Sequence, residues 1–354
     1  MSEQKRVAII GSGNWGSAIA AVIGGNLQKE QTKFHREVRM WVFEEMINGR
    51  KLTEIINQDH ENVKYLPGQK LPENVIAEPD ILKAAEDADL LVFVLPHQFI
   101  ARSCKQLVGK VKSGAIALSL VKGLNNPEPG KIGLISDIIK EQLGVEVGVL
   151  MGANIANEVA AGSFCETTIA FKNVEHGRLF RDAIQTENFR VTVVNDVANA
   201  ELSGALKNIV AFAAGLIDGL YGEKAGNTKA AVIRLGIMEM IDFAEKFFPG
   251  GSRETFLESC GVADVITSSF GGRNRKCAEA FAKQPDKTVK QLQDEMLNGQ
   301  LLQGPGTAEE VNHFLKAKGR ENEFPLFTTV HRICVKEIPA KELLDHLRNH
   351  PVHK

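Results

Sequence analysis

Residues 202–217 read Leu-Ser-Gly-Ala-Leu-Lys-Asn-Ile-Val-Ala-Phe-Ala-Ala-Gly-Leu-Ile, and Lys207 is the only charge among them. A helix apolar on nearly every side is a buried one, and an ammonium taken out of water without a partner is costly, so Lys207 needs a counter-charge or a task. At helical spacing Gly204, Lys207, Asn208 and Ala211 share a face, which brings a cation and an amide out together beside small side chains that leave room for a ligand. The alternative is a lysine at the helix edge that snorkels to solvent. Lys122 closes the apolar run Ala115 to Val121, either as a ligand contact at the carboxyl edge of a sheet or as an ordinary solvated strand end. Further on, Asp264 and the hydroxyls of Thr267, Ser268 and Ser269 precede Gly271-Gly272-Arg273-Asn274-Arg275. A planar arginine fork beside flexible backbone and an amide suits a phosphate or a carboxylate, although a solvated basic loop reads the same way.

A second chemistry stands at the N-terminus. Val7-Ala8-Ile9-Ile10 runs straight into Gly11-Ser12-Gly13-Asn14-Trp15-Gly16 and then into the helical run Ser17 to Ile23. A lone GxGxxG is a common turn, but between a strand and a helix it is a dinucleotide-binding fingerprint. Gly11 permits the tight turn, Gly13 lets backbone approach a pyrophosphate, and Gly16 lets helix and strand pack closely, while N–H groups at the helix start face the phosphates. The second apolar run ends in Trp41-Val42-Phe43-Glu44-Glu45, where such a fold tests the adenosine ribose. Glu44 follows Gly16 by more than the usual ~20 residues, and the polar insertion Gln28 to Glu37 accounts for the difference. Two carboxylates there repel a 2′-phosphate, so NAD is expected over NADP; a solvated acidic strand end is the plain alternative.

The elements that must position these groups can be read from periodicity. Val7 to Ile10, Val38 to Phe43, Leu90 to Leu95, Ala115 to Val121, Val147 to Leu150 and Val191 to Val194 are short apolar runs separated by helical patterns. They predict parallel strands covered on both faces. Beyond Asn195 the signals become helical: Ala198 to Leu220, Thr228 to Phe247, Asp294 to Asn298 with its flanks, and Thr307 to Lys318. We therefore expect an α/β Rossmann domain over 1–194, doubly wound on a mostly parallel sheet, and an all-α substrate-binding and catalytic domain over 195–354. A chain of 354 residues has room for both cores.

Composition excludes other classes. A net charge of -2 argues against binding nucleic acid by general phosphate attraction, so any anion site is local. Cys104, Cys165, Cys260, Cys277 and Cys334 are scattered with no metal spacing, which fits reduced thiols. The polar start Met1 to Arg6 leaves no room for a signal sequence, and the apolar stretch Ile209 to Ile217 falls short of the ~18 residues of a membrane span. There is no HExxH; His346, His350 and His353 read as a solvated tail and His97 as a turn residue, so no metal is expected. A cytoplasmic enzyme fits these readings.

The segments GSGNWGSAIA, MWVFEE, YLPGQKLPENV, LPHQFI, MGANIANEVA, FCETTI, GALKNIVA, NTKAAVIRLG, ESCGVAD, GGRNRKCAEAFA and LQGP cover nearly the whole chain in this order. Together they resemble the eukaryotic-type NAD-dependent glycerol-3-phosphate dehydrogenases. The resemblance implies a Rossmann domain, a helical substrate domain, a homodimer, NAD as cofactor, and interconversion of sn-glycerol 3-phosphate with dihydroxyacetone phosphate. It makes Lys207 the general acid toward the carbonyl oxygen and Lys122 the second active-site lysine, also in contact with substrate, and counts Asp264 among the catalytic residues and the polar groups around the substrate. Asn208, Ser268, Arg273 and Asn274 then surround the substrate, Arg273 on its phosphate. Phe43, Phe99, Ala156, Gln303 and Arg273 join Gly11, Ser12, Gly13, Asn14, Trp15 and Gly16 as cofactor contacts. Ser268 stands where the family usually has threonine, and Leu301 where animal members have lysine. Two other readings stay open: a relative of the 3-hydroxyacid or 6-phosphogluconate dehydrogenases, which GGRNR and MWVFEE disfavour, and a non-catalytic NADH sensor, which the joint presence of Lys122, Lys207 and Arg273 disfavours.

Overall fold

In the first strand, β1 (Lys5–Ile10), Val7 and Ile9 enter one apolar cluster and Ala8 and Ile10 another, all four buried. The two-residue period sends alternate side chains to opposite faces, and only a strand with a layer on each face buries both sets. Leu90 to Phe93 divide between the same two clusters in the same way.

The computed structural model describes residues 4–29, 33–126, 128, 130–222, 224–297 and 301–353. It divides into two compact units, Met1–Val121 with Ile135–Val197, and Lys122–Leu134 with Ala198–Lys354. In the first unit β2 (Phe34–Trp41), β3 (Val75–Glu78), β4 (Leu90–Phe93), β5 (Ile116–Ser119), β6 (Glu146–Met151), β7 (Cys165–Ala170) and β8 (Phe189–Val194) join β1. Among the described residues these strands form one sheet in the order β8-β7-β6-β5-β4-β1-β2-β3. Neighbours run parallel except β6 and β7. The stretch β3-β2-β1-β4-β5-β6 is the Rossmann order, with two strands added beyond β6. Helices α1 (Asn14–Leu27), α2 (Leu52–Asp59), α3 (Ile81–Ala85), α4 (Ile100–Leu107), α5 (Ile135–Leu143), α6 (Ala156–Ala160) and α7 (Val174–Ile184) complete the unit.

Two strands have no counterpart among the apolar runs. β3 is a four-residue edge strand, and β7, Cys-Glu-Thr-Thr-Ile-Ala, buries two threonines instead of a continuous apolar run. β2 begins at Phe34, inside the stretch taken for a polar insertion, and ends at Trp41, so Phe43 lies beyond the strand. Residues 30–32 of that insertion lie outside the described residues.

The second unit is built on α8 (Val197–Tyr221), followed by α9 (Gly226–Phe247), α10 (Asp264–Phe270), α11 (Arg273–Lys283), α12 (Val289–Met296), α13 (Gln303–Ala317), α14 (Pro325–Cys334) and α15 (Leu343–Leu347). α8 is long and apolar enough to cross a membrane, which corrects the expectation drawn from its uninterrupted apolar stretch alone. Asn199 through Ile217 are nevertheless all buried, and its apolar side chains belong to the core of the helical unit. The segment 122–134, expected in the first domain, belongs to this unit, because the hairpin Leu124–Asn125 with Gly133–Leu134 buries both its leucines in the helical core. Asn298, the expected end of α12, lies outside the described residues. Another correction concerns the C-terminal tail. His350 is buried and its Nε2 lies 2.9 Å from Glu239, whose carboxylate also accepts the N–H groups of Leu326 and Phe327 at the start of α14.

Candidate active site

In the first unit β1 turns into α1 through Gly11, whose φ of 125° lies in a region that only glycine adopts freely and where a Cβ would meet Val94 O at 2.3 Å. Gly13 precedes α1 with extended backbone, and a Cβ there would meet nothing within 4 Å, so space lies open beside the turn. No side chain caps α1 and its first turn holds no acid, leaving the leading N–H groups of Asn14, Trp15 and Gly16 and the positive end of the helix dipole for an anion. The turn is braced from below: Asn62, fully buried, donates to Ser12 O and Ser17 Oγ, both at 2.9 Å. Asn14 donates to Tyr65 O at 2.7 Å and to Asn157 Oδ1 at 2.8 Å, which ties the turn to α6 and hence to Ala156 at its start. Asn62 was not singled out from sequence, since a buried asparagine leaves no trace in hydrophobic period.

Phe43 and Phe99 are both exposed aromatic rings. Glu44 and Glu45 are already engaged. Glu44 accepts from Thr53 N–H at 3.2 Å and Thr53 Oγ1 at 2.6 Å at the start of α2, while Glu45 accepts from Tyr65 Oη at 3.0 Å and pairs with Lys64.

The second unit gathers the lysines. Lys207 and Asn208 are buried on successive positions of α8, and Lys122 enters at the head of the hairpin. Asp264 lies between them: its Oδ1 accepts from Lys207 Nζ at 3.0 Å and its Oδ2 from Lys122 Nζ at 2.6 Å. Lys207 also bonds Ser268 Oγ, one turn along α10, and Ser268 reaches Asp264 Oδ1 at 3.3 Å. Local backbone explains where Asp264 stands. A π-helical turn, Ser259–Ala263, feeds directly into α10, and such turns recur at functional sites because the extra residue re-aims the helix beyond it.

A chain of amides joins three helices beside the lysines. Asn274 Nδ2 donates to Asn208 Oδ1 at 3.0 Å, and Asn274 Oδ1 accepts from Gly304 N–H at 2.9 Å, next to Gln303 at the start of α13. Arg273 is the first residue of α11, not part of a loop, after Gly272 with φ 73°.

Electrostatics single out one group. Burial pushes Lys207 down, the carboxylate of Asp264 pulls it back, and the positive charges of Lys122 and Arg273 lower it again, leaving it at about 8. Asp264 is held below the usual carboxylate range: burial opposes its charge, but the two ammonium groups outweigh that. Arg273 is open to solvent by area, yet the protein packed round its guanidinium lowers its pKa from the ordinary value. A cation near neutrality, a second cation and a shared carboxylate, with an arginine and amides close by, can deliver a proton to an oxygen on which negative charge grows.

Comparison with known proteins agrees over the full length. Residues 6–177 match the family model of the NAD-dependent glycerol-3-phosphate dehydrogenase N-terminus, and residues 196–345 that of its C-terminus. The chain is similar to the cytoplasmic NAD(+) glycerol-3-phosphate dehydrogenase of Drosophila kanekoi, with 57% identity over 353 residues that cover 100% of this chain and 97% of that one. Similarity to the human glycerol-3-phosphate dehydrogenase 1-like protein is 59% over 349 residues, 98% of each chain. The solved glycerol-3-phosphate dehydrogenase of Saccharomyces cerevisiae superposes with a TM-score of 0.90 at 43% identity, covering 98% of this chain and 100% of that one.

Proposed function

The chain belongs to the NAD-dependent glycerol-3-phosphate dehydrogenase family, oxidoreductases that use NAD, and from that premise we propose how its own residues carry the reaction between sn-glycerol 3-phosphate and dihydroxyacetone phosphate. Membership selects this reading over the 3-hydroxyacid alternative. The N–H groups of Asn14, Trp15 and Gly16 hold the pyrophosphate, with Gly11, Ser12 and Gly13 shaping the approach and Phe43, Phe99 and Ala156 as further cofactor contacts. Gln303 and Arg273 are proposed as cofactor contacts as well. The open space beside Gly13 and the uncapped start of α1 fit such a group. When bound, the nicotinamide cofactor would supply a hydride from its reduced form, NADH, in reduction and take one up in its oxidised form, NAD+, in oxidation.

Arg273 grips the substrate phosphate through paired N–H bonds and so orients the three-carbon skeleton. Lys207 donates its proton to the carbonyl oxygen as negative charge grows there, and the ammonium of Lys122 stabilises that charge. Asp264 keeps both lysines in place and keeps Lys207 protonated near neutrality, while Asn208, Ser268 and Asn274 offer polar contacts to the substrate. In oxidation the neutral amine of Lys207 accepts the hydroxyl proton. The observation that carries this reading is the buried Lys207 on Asp264, with its pKa brought down to about 8. Replacing Lys207 with Met lowers turnover by ~10²–10⁴ or more, while NADH binding followed by fluorescence stays near normal. If the variant keeps most of its kcat, proton transfer belongs to Lys122 instead.

The Drosophila relatives are named cytoplasmic, and this supports the same location here. A homodimer is expected from the family resemblance, and sedimentation equilibrium tests it.

A further inference from the structure

The turn Gly271–Gly272, which carries the chain into Arg273, is flanked on both sides by groups that one carboxylate holds. Asp218, in the last turn of α8, accepts from Lys229 Nζ of α9 at 2.8 Å and from Arg275 Nε of α11 at 2.6 Å. Lys229 Nζ also stands 4.2 Å from the ring centroid of Phe270, the last residue of α10 before the turn. Arg275 is the third residue of α11 after it, and a second guanidinium nitrogen reaches Glu279 at 3.0 Å. The side chains of Asp218 and Lys229 are 13% and 10% exposed, so water screens their attraction far less than it would a surface pair.

Backbone contact reinforces the clamp. A Cβ at Gly215 would lie 2.2 Å from Arg275 O, and one at Gly219 2.5 Å from Glu279 O. These two glycines stand one helical turn apart, and their bare backbone lets α11 lie directly on α8. The turn itself consists of two glycines and brings no side chain to fix its own shape. A paired grip by Arg273 is demanding in orientation, and its stability is supplied from either side of the turn.

We propose that Asp218 and Lys229 are positioning residues for phosphate recognition, holding the segment Phe270–Arg275 so that Arg273 presents its guanidinium in one orientation. This rests on the reading of Arg273 as the phosphate-binding residue. The test measures kcat/KM for dihydroxyacetone phosphate and for unphosphorylated dihydroxyacetone in Asp218→Asn, Asp218→Glu, Lys229→Met, Arg273→Leu and the double variant Asp218→Asn/Arg273→Leu. Asp218→Asn lowers the value for the phosphorylated substrate by about 10- to 100-fold and hardly changes it for the other. Asp218→Glu recovers part of the loss. Lys229→Met leaves Asp218 paired with Arg275 and shows the same contrast, smaller, should Asp218→Asn not fold. In the double variant Asp218→Asn adds no further loss, because the arginine it serves is gone. Equal losses on both substrates, no loss on either, or full additivity with Arg273→Leu overturns the positioning role. If Arg273→Leu itself lowers both substrates alike, the phosphate reading fails and this inference falls with it; if Arg273→Leu is selective and the Asp218 and Lys229 variants are not, only the positioning role falls.

Discussion

Lys207 carries its proton on terms set by its neighbours. Burial works against the charge, Asp264 works for it, and the outcome at about 8 places both protonation states within reach of a working enzyme. The ammonium form prevails below that pH, so with Lys207 as the proposed general acid and base kcat/KM for reduction of dihydroxyacetone phosphate is expected to fall by about tenfold per pH unit above it. Oxidation of glycerol 3-phosphate needs the neutral amine and loses rate as pH drops below about 8. Because Asp264 raises the pKa of Lys207, Asp264→Asn shifts the descending limb of reduction toward lower pH; a limb that stays in place separates the carboxylate from the proton. From the proposed role of Arg273 on the substrate phosphate, Arg273→Leu is expected to cost roughly 3 kcal/mol in kcat/KM for dihydroxyacetone phosphate, with little change on dihydroxyacetone. At this scale the sequence was readable at Lys207, which breaks its apolar run. By its own sequence setting Asp264 stood out only as a carboxylate near hydroxyls, and the family resemblance added it to the site; its place as the shared partner of two lysines follows a π-helical turn that no periodicity announces.

Whole elements were legible where their pattern was strong and illegible where burial came from polar side chains. β1, β4 and β6 fall on the apolar runs with ends shifted by one or two residues, whereas β7 hides behind Thr167 and Thr168, both fully buried. The start of α11 reads as residues carried on a glycine turn, because Gly271–Gly272 marks a turn and Arg-Asn-Arg-Lys shows no apolar face until Cys277 and Ala278. The C-terminal tail misled because its polar residues outnumber its apolar ones, although Leu343 and Leu347 enter the helical core. A signal did exist on α9, where Glu239 shares a buried face with Leu235, Gly236 and Met240 and, like Lys207, requires a partner. That partnership makes the tail part of the fold. His350→Ala removes one of the two partners of Glu239 Oε1, which keeps the Leu326 N–H, and costs about 2 kcal/mol of stability, measured by urea unfolding. Activity at low temperature is retained; an unchanged unfolding midpoint would show that the tail contributes nothing.

At the scale of the molecule, the chain passes from one compact unit to the other after Val121, returns after Leu134, and passes again after Val197. The strong change of pattern near Asn195 made the last of these passages visible, but the segment 122–134 is only thirteen residues long and its two core leucines, Leu124 and Leu134, form no pattern of their own. Its allegiance is testable in the intact protein. Leu124→Ala costs roughly 2–4 kcal/mol, and hydrogen exchange shows the lost protection in α8 and α9 instead of in β5 and β6, the strands nearest in sequence. Loss confined to the strands would assign the hairpin to the sheet. The same routing dictates an order of events during synthesis. A ribosome that has just completed Val197 has delivered every strand of the sheet, yet Leu124 and Leu134 have no core to enter until the later helices have emerged. The nascent first half therefore carries these two leucines uncovered, and Lys122 waits with them for an aspartate encoded more than a hundred residues downstream. A pause in translation at that point prolongs the exposure, so chaperone demand during synthesis depends on how quickly the second half arrives.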